Sequence, residues 1–447
     1  MKRQAGMLNA FVAGAAPLDP GTARLIARRD RLLGPAYRLF YDRPLHLVRG
    51  EGTRLYDAAG RAYLDAYNNV AGVGHCHPHV VAALAGQAAV LATHTRYLHE
   101  APLDYAERLL ATLPAPLAHL MFTCTGSEAN DLAVRIARAA TGAEGIIVTE
   151  NAYHGVTEAV AGFSPALGVH AAISPRVRLV PAPDPRRPDA GAEFARGVDA
   201  AIASLEAAGL GVAMLIVDSI FSTDGVIDGG GDAEGTAPNL LAAAAQAVRA
   251  AGGLFVADEV QAGFGRTGTA FWGFQRHRVV PDMVSMGKGM GNGYPVAGLA
   301  LGHDLAAAFG NDTRYFNTFG GNAVAASVAA AVLDVLEQEG LQANAARVGA
   351  AFRARLRALA ARHESLGAVR GAGLFIGVEV RAAPDEGAGR RAARIVNAMR
   401  EHGVLISTSG AAGDVLKIRP PLVFSDADTD AFMAALEAVL AGLPDSA

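Results

Sequence analysis

Six short apolar runs recur between residues 119 and 287: "HLMFTC", "GIIVTE", "VRLVPA", "AMLIVDS", "GLFVADE" and "MVSMG". They lack the apolar–polar alternation of a strand with one wet face, so each reads as a strand buried on both faces. Ala-rich helical segments, such as "NLLAAAAQAVRAAGG", lie between several of them. Strands alternating with helices in this way predict an α/β fold with a largely parallel sheet covered on both sides. The pattern changes at about residue 323. A long helical stretch, "AVAASVAAAVLDVLEQEG", leads into "FRARLRALAARH". Then come the strand-like "GAGLFIGVEVR", a helix, "GVLISTS", "DVLKIRP" and a final helix, which read as a smaller C-terminal α/β domain. Near the start, "LHLVRGEGTRLYDAAGRAYLDAY" reads as short strands joined by Gly turns. The expected organisation is 1–70 as an arm and a segment packing with the small domain, 71–325 as the large domain and 326–447 as the small one. No convincing internal repeat is visible.

Bulk properties narrow the function classes. A formal net charge of −4 over 447 residues, with no basic block, argues against a nucleic-acid surface. No uninterrupted apolar run reaches spanning length, so no membrane partner is expected. Cys76 and Cys124 form neither a disulfide framework nor a metal spacing, and they fit a reducing compartment. The opening "MKRQAGMLNAFVAGAAP" faintly imitates a signal peptide. Gly6 and Asn9 break its apolar part, so it reads as a loose arm on a cytoplasmic protein.

The chain holds three lysines, Lys2, Lys288 and Lys417, among 39 basic residues. Where arginine serves nearly everywhere, a lysine inside the glycine-rich "SMGKGMGNGYP" points to chemistry that needs a primary amine. Lysine can lose its proton and form a Schiff base, and arginine cannot. Other candidates sit at the ends of the strand-like runs. In "FTCTGSEANDLAVRIARAA", Gly126 permits a tight turn and Ser127 stands at a helix N-terminus, a geometry that binds phosphate. An ordinary N-cap by Ser127 is the plainer alternative. In "TENAYHGVTEAV", Tyr153 can stack on a flat ring or merely pack, and His154 can hydrogen-bond nearby. In "GGLFVADEVQAGFGRTG" a strand ends in Asp258 and Glu259, where α/β proteins bind ligands. The structural alternative is a capping Asp258 with Glu259 paired to Arg266. A phosphate cradle, a stacking aromatic, a carboxylate and an isolated lysine together match the needs of pyridoxal 5′-phosphate (PLP).

With these motifs the sequence strongly resembles the class III aminotransferases, PLP enzymes of fold type I. The resemblance runs from about "LVRGEGTRLYDAAGRAYLD" to the end, and "DEVQAGFGRTG" followed by "SMGKGMGNGYP" is its most specific part. It implies that Lys288 forms the Schiff base and that Asp258 salt-bridges the pyridine nitrogen. It further implies that Gln261 bonds the ring hydroxyl, Tyr153 stacks on the ring, and Gly126 and Ser127 hold the phosphate. Thr318, in "YFNTFGGN", resembles the family's threonine that reaches the phosphate of the neighbouring subunit. That implies a homodimer with shared active sites, with pairing into tetramers left open.

Two positions depart from common members. Asp218, in "DSIF", stands where many have Glu in Glu-Pro-Ile-Gln, and Lys417 stands where many have a carboxylate-binding Arg, with Arg419 two residues on. Asp218 and Lys417 read either as a shortened version of that Glu–Arg pair or, for Lys417, as a surface charge on a strand. Lysine is a poorer bidentate clamp for carboxylate and an adequate point charge for phosphate. "YNNVAGVGHCHP" and "RYLHEAPLDYAERL" resemble the branch containing alanine–glyoxylate-type aminotransferases and lyases of phosphorylated amino compounds. By analogy Tyr67, Asn68 and Asn69 line the pocket, a turn before the His-rich segment being the alternative. His75 and His77 lack a third ligand, so no metal is expected. The expected reaction is amino transfer from an amine or ω-amino compound to a keto acid. The alternative is a PLP-dependent lyase eliminating phosphate or ammonia from a phosphoethanolamine-like compound. A catalytically dead binding or scaffold protein is disfavoured by Ser127, Asp258 and Lys288 together.

Overall fold

The computed structural model describes residues 7–168, 171–229 and 239–443. Its first part comprises α1 (Pro20–Leu33), β1 (Leu47–Glu51), β2 (Arg54–Asp57), β3 (Ala62–Asp65), α2 (Pro78–Ala88) and α3 (Glu100–Leu110). The central part is β4 (His119–Thr123), α4 (Gly126–Thr141), β5 (Gly145–Thr149), α5 (Glu158–Ala161), β6 (Val177–Val180), α6 (Ala190–Ala207), β7 (Val212–Asp218), α7 (Ala242–Ala250), β8 (Leu254–Asp258), β9 (Met283–Met286), β10 (Ala297–Leu301) and α8 (His303–Asp312). The last part is α9 (Ala323–Gln338), α10 (Leu341–Ala360), β11 (Leu366–Ala372), β12 (Phe375–Val380), α11 (Ala388–Glu401), β13 (Val404–Leu405), β14 (Ser407–Ser409), β15 (Val415–Ile418) and α12 (Asp426–Ala441).

All six apolar runs are strands of one seven-stranded sheet, ordered β4-β10-β9-β8-β7-β5-β6. The sheet is parallel apart from β10, which runs antiparallel to both β4 and β9. Its central strands are buried along nearly their whole length, as runs without alternation require. The sequence reading did not single out β10. The reason for its direction is the connection: residues 287–296 include no helix, and a parallel return needs a longer crossover. The loop carrying Lys288 is therefore the tip of an antiparallel pair. The parallel strands present Thr123, Thr149, Asp218, Asp258 and Met286 at one edge, the C-terminal edge where α/β sheets bind ligands.

Two smaller sheets flank this one. β11-β12-β15-β14 is antiparallel and carries Lys417 on β15. The other, β1-β2-β3-β13, joins the N-terminal strands to the C-terminal part through a parallel pairing of Leu64 with Val404. α10 approaches the β11–β12 turn so closely that a Cβ at the helical Gly349 would lie 2.0 Å from the Gly373 carbonyl oxygen. In an exposed helix Gly→Ala gains about 1 kcal/mol. Here steric overlap with backbone decides the sign, and Gly349→Ala should destabilise by roughly 1–3 kcal/mol. Thermal unfolding of the two proteins checks this, and a raised midpoint would contradict the packing.

Candidate active site

The sheet edge opens into a cavity of about 240 Å³. Gly126, Ser127, Tyr153, His154, Asp218, Asp258, Gln261 and Lys288 all line it, so eight of the residues singled out in the sequence meet in one place.

At the start of α4 the N-cap is Thr125, not Ser127. The Thr125 hydroxyl accepts from the Glu128 amide at 3.2 Å, and Glu128 reaches back to the Thr125 and Cys124 amides at 3.1 and 2.7 Å. This capping box leaves the Gly126 and Ser127 amides outside the helix's own ladder, at the positive end of its dipole. Ser127 Oγ accepts from the Val156 amide at 3.1 Å. Gly155 has φ +146°, and a Cβ there would sit 2.4 Å from that same oxygen. A Cβ at Gly126 would come within 2.7 Å of Val260. The two glycines thus keep open a concave, amide-lined corner that fits a phosphate.

Asp258, at the end of β8, is held from three sides. Its Oδ2 accepts from His154 Nδ1 at 2.7 Å and Asn130 Nδ2 at 3.0 Å, and its Oδ1 accepts from the Val260 amide at 3.0 Å. The far nitrogen of His154, Nε2, is buried without a hydrogen-bond partner among the described residues. Asn130 escaped the sequence reading. The only signal was a polar residue on the apolar face of α4, and its carboxylate partner lies 128 positions away. Glu259 does not pair with Arg266. It accepts from the Gly273 and Phe274 amides at 2.7 and 2.8 Å, and burial pushes its carboxyl up to about 7. Arg266 instead donates to the Leu374 and Pro420 carbonyls, and burial, then Arg419, lowers it to about 9.

The Lys288 amine is pulled below its ordinary range by burial and then by Arg419, while Asp258 and Asp218 oppose that shift. A lowered pKa raises the fraction of free amine at neutral pH, which a Schiff-base lysine needs. Burial also holds the Tyr153 hydroxyl up.

Lys417 is buried, so the surface-charge reading is overturned. Burial, then Arg419, lowers it well below its usual value. Asp218 and Lys417 act on each other electrostatically but are in no contact ion pair within 4.0 Å among the described residues. Asp218 spends its oxygens on the Ile220 and Ser222 amides at 3.1 and 3.0 Å, and burial, then Asp258, raises its pKa. Arg419 takes the more central place. Its guanidinium lies 4.5 Å over the Tyr67 ring and donates to Gln261 Oε1, while Gln261 Nε2 donates to Ser222 Oγ at 2.6 Å.

Tyr67, Asn68 and Asn69 do not line the cavity, nor do Lys417 and Arg419, whereas Val70 does, and Arg419 reaches the lining through its bond to Gln261. Asn68 is turned onto Asp65 by its amide and side chain, at 2.9 and 3.1 Å, so the turn reading holds for it. Thr318 is exposed and lines no part of this chain's cavity. His75 bonds Asp65 at 2.6 Å and His77 bonds Glu339 at 3.0 Å.

A family model described as "Aminotransferase class-III" matches residues 40–440. The chain belongs to the class III aminotransferases. It is 39% identical to an alanine–glyoxylate aminotransferase 2-like protein of Drosophila melanogaster, over 91% of this chain and 85% of that one. It is 34% identical to ethanolamine-phosphate phospho-lyase homolog 1 of Caenorhabditis elegans, over 93% of each. Among solved structures, a phospholyase from Arthrobacter in complex with phosphoethanolamine superposes with a TM-score of 0.89 at 43% identity. That match covers 94% of this chain and all of the other. The enzyme is accordingly a PLP-dependent member of fold type I. The amide-lined corner suits the cofactor's phosphate, and Asp258 with its two side-chain donors suits a protonated ring nitrogen.

Filling the corner tests it. Gly155→Ala should weaken PLP binding by about tenfold or more, the equivalent of ~1.4 kcal/mol. Titrating the apoenzyme with PLP and following its absorbance measures this, and unchanged affinity would show that the phosphate lies elsewhere.

Proposed function

We propose that Lys288 carries an amino transfer from a primary amine to a keto acid. The observation that supports it most is the meeting of Lys288, Asp258 and the glycine-rich phosphate corner in one cavity. Bound PLP supplies an aldehyde for the lysine and a ring that takes up an electron pair. This chain's residues do the rest. Asp258 supplies the negative charge facing the ring nitrogen, while His154 and Asn130 orient it. Tyr153 would cover the ring, and Gln261, which here holds Ser222 and Arg419, would bond its hydroxyl. Lys288, once released by substrate, accepts and returns a proton at the substrate carbon, a role its lowered pKa favours.

The substrate side is read from Lys417 and Arg419, two buried basic residues with no carboxylate within 4.0 Å among the described residues, Asp218 and Asp224 acting on Lys417 from farther away. They favour a substrate with an anionic group away from the reacting amine, phosphate above all. The same observation favours a second reaction at the same site, elimination of phosphate and ammonia from a phosphoethanolamine-like compound. Residues 94–98 and 316–319 lie together: His94 stacks on Tyr97, Arg96 covers Phe316 at 3.8 Å, and Leu98 and Phe319 are 100% and 70% exposed. We read this apolar face as a homodimer contact that brings Thr318 to the neighbour's phosphate. The two free thiols suit a cytoplasmic protein.

Turnover without a keto acid separates the two reactions. With phosphoethanolamine and PLP-loaded enzyme, amino transfer stops after one equivalent per site, whereas elimination releases ammonia and phosphate far beyond the enzyme concentration. For the shared site, Lys288→Ala and Thr318→Ala subunits are each expected to be impaired as homodimers. Co-expressed, they should recover activity, because one site of each mixed dimer is intact. No recovery in purified mixed dimers would exclude a role for Thr318 across the interface.

A further inference from the structure

The N-terminal arm folds back beside the strand that carries Lys417. Asn9 is fully buried, and its Nδ2 donates to Ser407 Oγ at 3.0 Å. Its carbonyl accepts from the Tyr41 amide at 2.8 Å, Ala10 bridges antiparallel to Phe40, and the Phe11 amide donates to Leu39 at 2.9 Å. Leu8 packs so closely on Gly389 and Gly413 that a Cβ at either would come within 2.6 Å of it. The arm is therefore knotted to the C-terminal part by polar and apolar contacts.

Two lines of contact lead from this knot to the two cations. Ser407 stands directly opposite Lys417 in the β14–β15 pair, so the two side chains rise from the same face. Phe40 meets Tyr67 edge-on at 5.6 Å, and the Tyr67 ring lies under the Arg419 guanidinium at 4.5 Å. A third tie, from Tyr41 Oη to the Ile406 carbonyl at 3.1 Å, fixes the start of β14. Neither Lys417 nor Arg419 has an ion-pair partner within 4.0 Å among the described residues: Arg419 is held by Gln261 and the Tyr67 ring, and the Lys417 amine lies 5.6 Å over the Phe375 ring, with Asp218 and Asp224 acting on it from farther away.

We infer that Asn9 is a positioning residue for the substrate's anionic group, acting on Lys417 through Ser407, and that the arm is thereby a determinant of specificity. This rests on the reading that Lys417 and Arg419 receive that group. A purely structural tie would affect all ligands and cofactor binding alike. A positioning role affects the anion selectively.

The test compares dissociation constants of PLP-loaded enzyme for phosphoethanolamine and for ethanolamine, read from the cofactor spectrum, in wild type, Asn9→Ala, Ser407→Ala, the double variant and Lys417→Ala. The expected result is a loss of phosphoethanolamine affinity of about tenfold in each single variant, with ethanolamine and PLP affinities within about twofold. The double variant should be no worse than Asn9→Ala, since both remove one hydrogen bond. Should Lys417→Ala bind phosphoethanolamine as well as wild type does, or wild type fail to prefer it over ethanolamine, the anion reading falls and this inference with it. Should Lys417→Ala lose affinity while Ser407→Ala and Asn9→Ala keep it, or lose PLP and ethanolamine in parallel, the positioning role alone is overturned. Ser407→Ala carries the test if Asn9→Ala does not fold.

Discussion

The carboxylate of Asp258 is the point on which the site hangs. A buried negative charge is costly unless its lone pairs are taken up, and here two side chains and one amide take them. That arrangement needs β8 to end where it does, α4 to present Asn130 in its second turn, and the loop after β5 to bring His154 across. Each is set by the sheet: three segments far apart in sequence converge because parallel strands all finish at one edge. The Lys288 loop reaches the same edge by a different route, as the tip of the β9–β10 pair. Both of its ends are hydrogen-bonded into the sheet.

Charge in the interior is uneven in a telling way. Asp218, Asp258 and Asp65 are all satisfied by hydrogen bonds within the protein. Lys288 and Lys417 have Arg419 beside them and are in contact ion pairs with no carboxylate among the described residues; burial, then Arg419, lowers both, while Asp218 opposes the shift at each, with Asp258 at Lys288 and Asp224 at Lys417. On the proposed reading, an anionic substrate group would give these basic residues a nearer partner than Asp218 or Asp224.

Much of this was legible in the sequence, and the reasons differ by residue. Strand type and order of appearance were readable because fully buried strands leave uninterrupted apolar runs. β10 was not, since "VAGLAL" looks like its neighbours and its direction depends on loop length. Lys288 stood out through the scarcity of lysine, and Asp258 through its place after a strand. Local geometry misled where several residues compete for one role: Thr125 rather than Ser127 caps α4, because only Thr125 stands three residues before Glu128 in a capping box. Pairings such as Glu259 with Arg266, or Asp218 with Lys417, were guesses from charge. Backbone amides and carbonyls took Glu259, Arg266 and Asp218 instead, and backbone partners leave no mark in composition. Asn9 carried no signal at all, since its partner is 398 residues away.

The pairing of β3 with β13 has a consequence for how the chain reaches this state. Leu64 waits for Val404, so the first sheet cannot be completed until almost the entire polypeptide has left the ribosome. The strands of the central sheet all come from residues 119–301, although its core continues into the C-terminal helices. Closing the two termini onto each other thus carries the entropy of a very long loop. Until then β3 is an open strand edge, and newly made chains have a window in which they can pair with one another instead of with themselves.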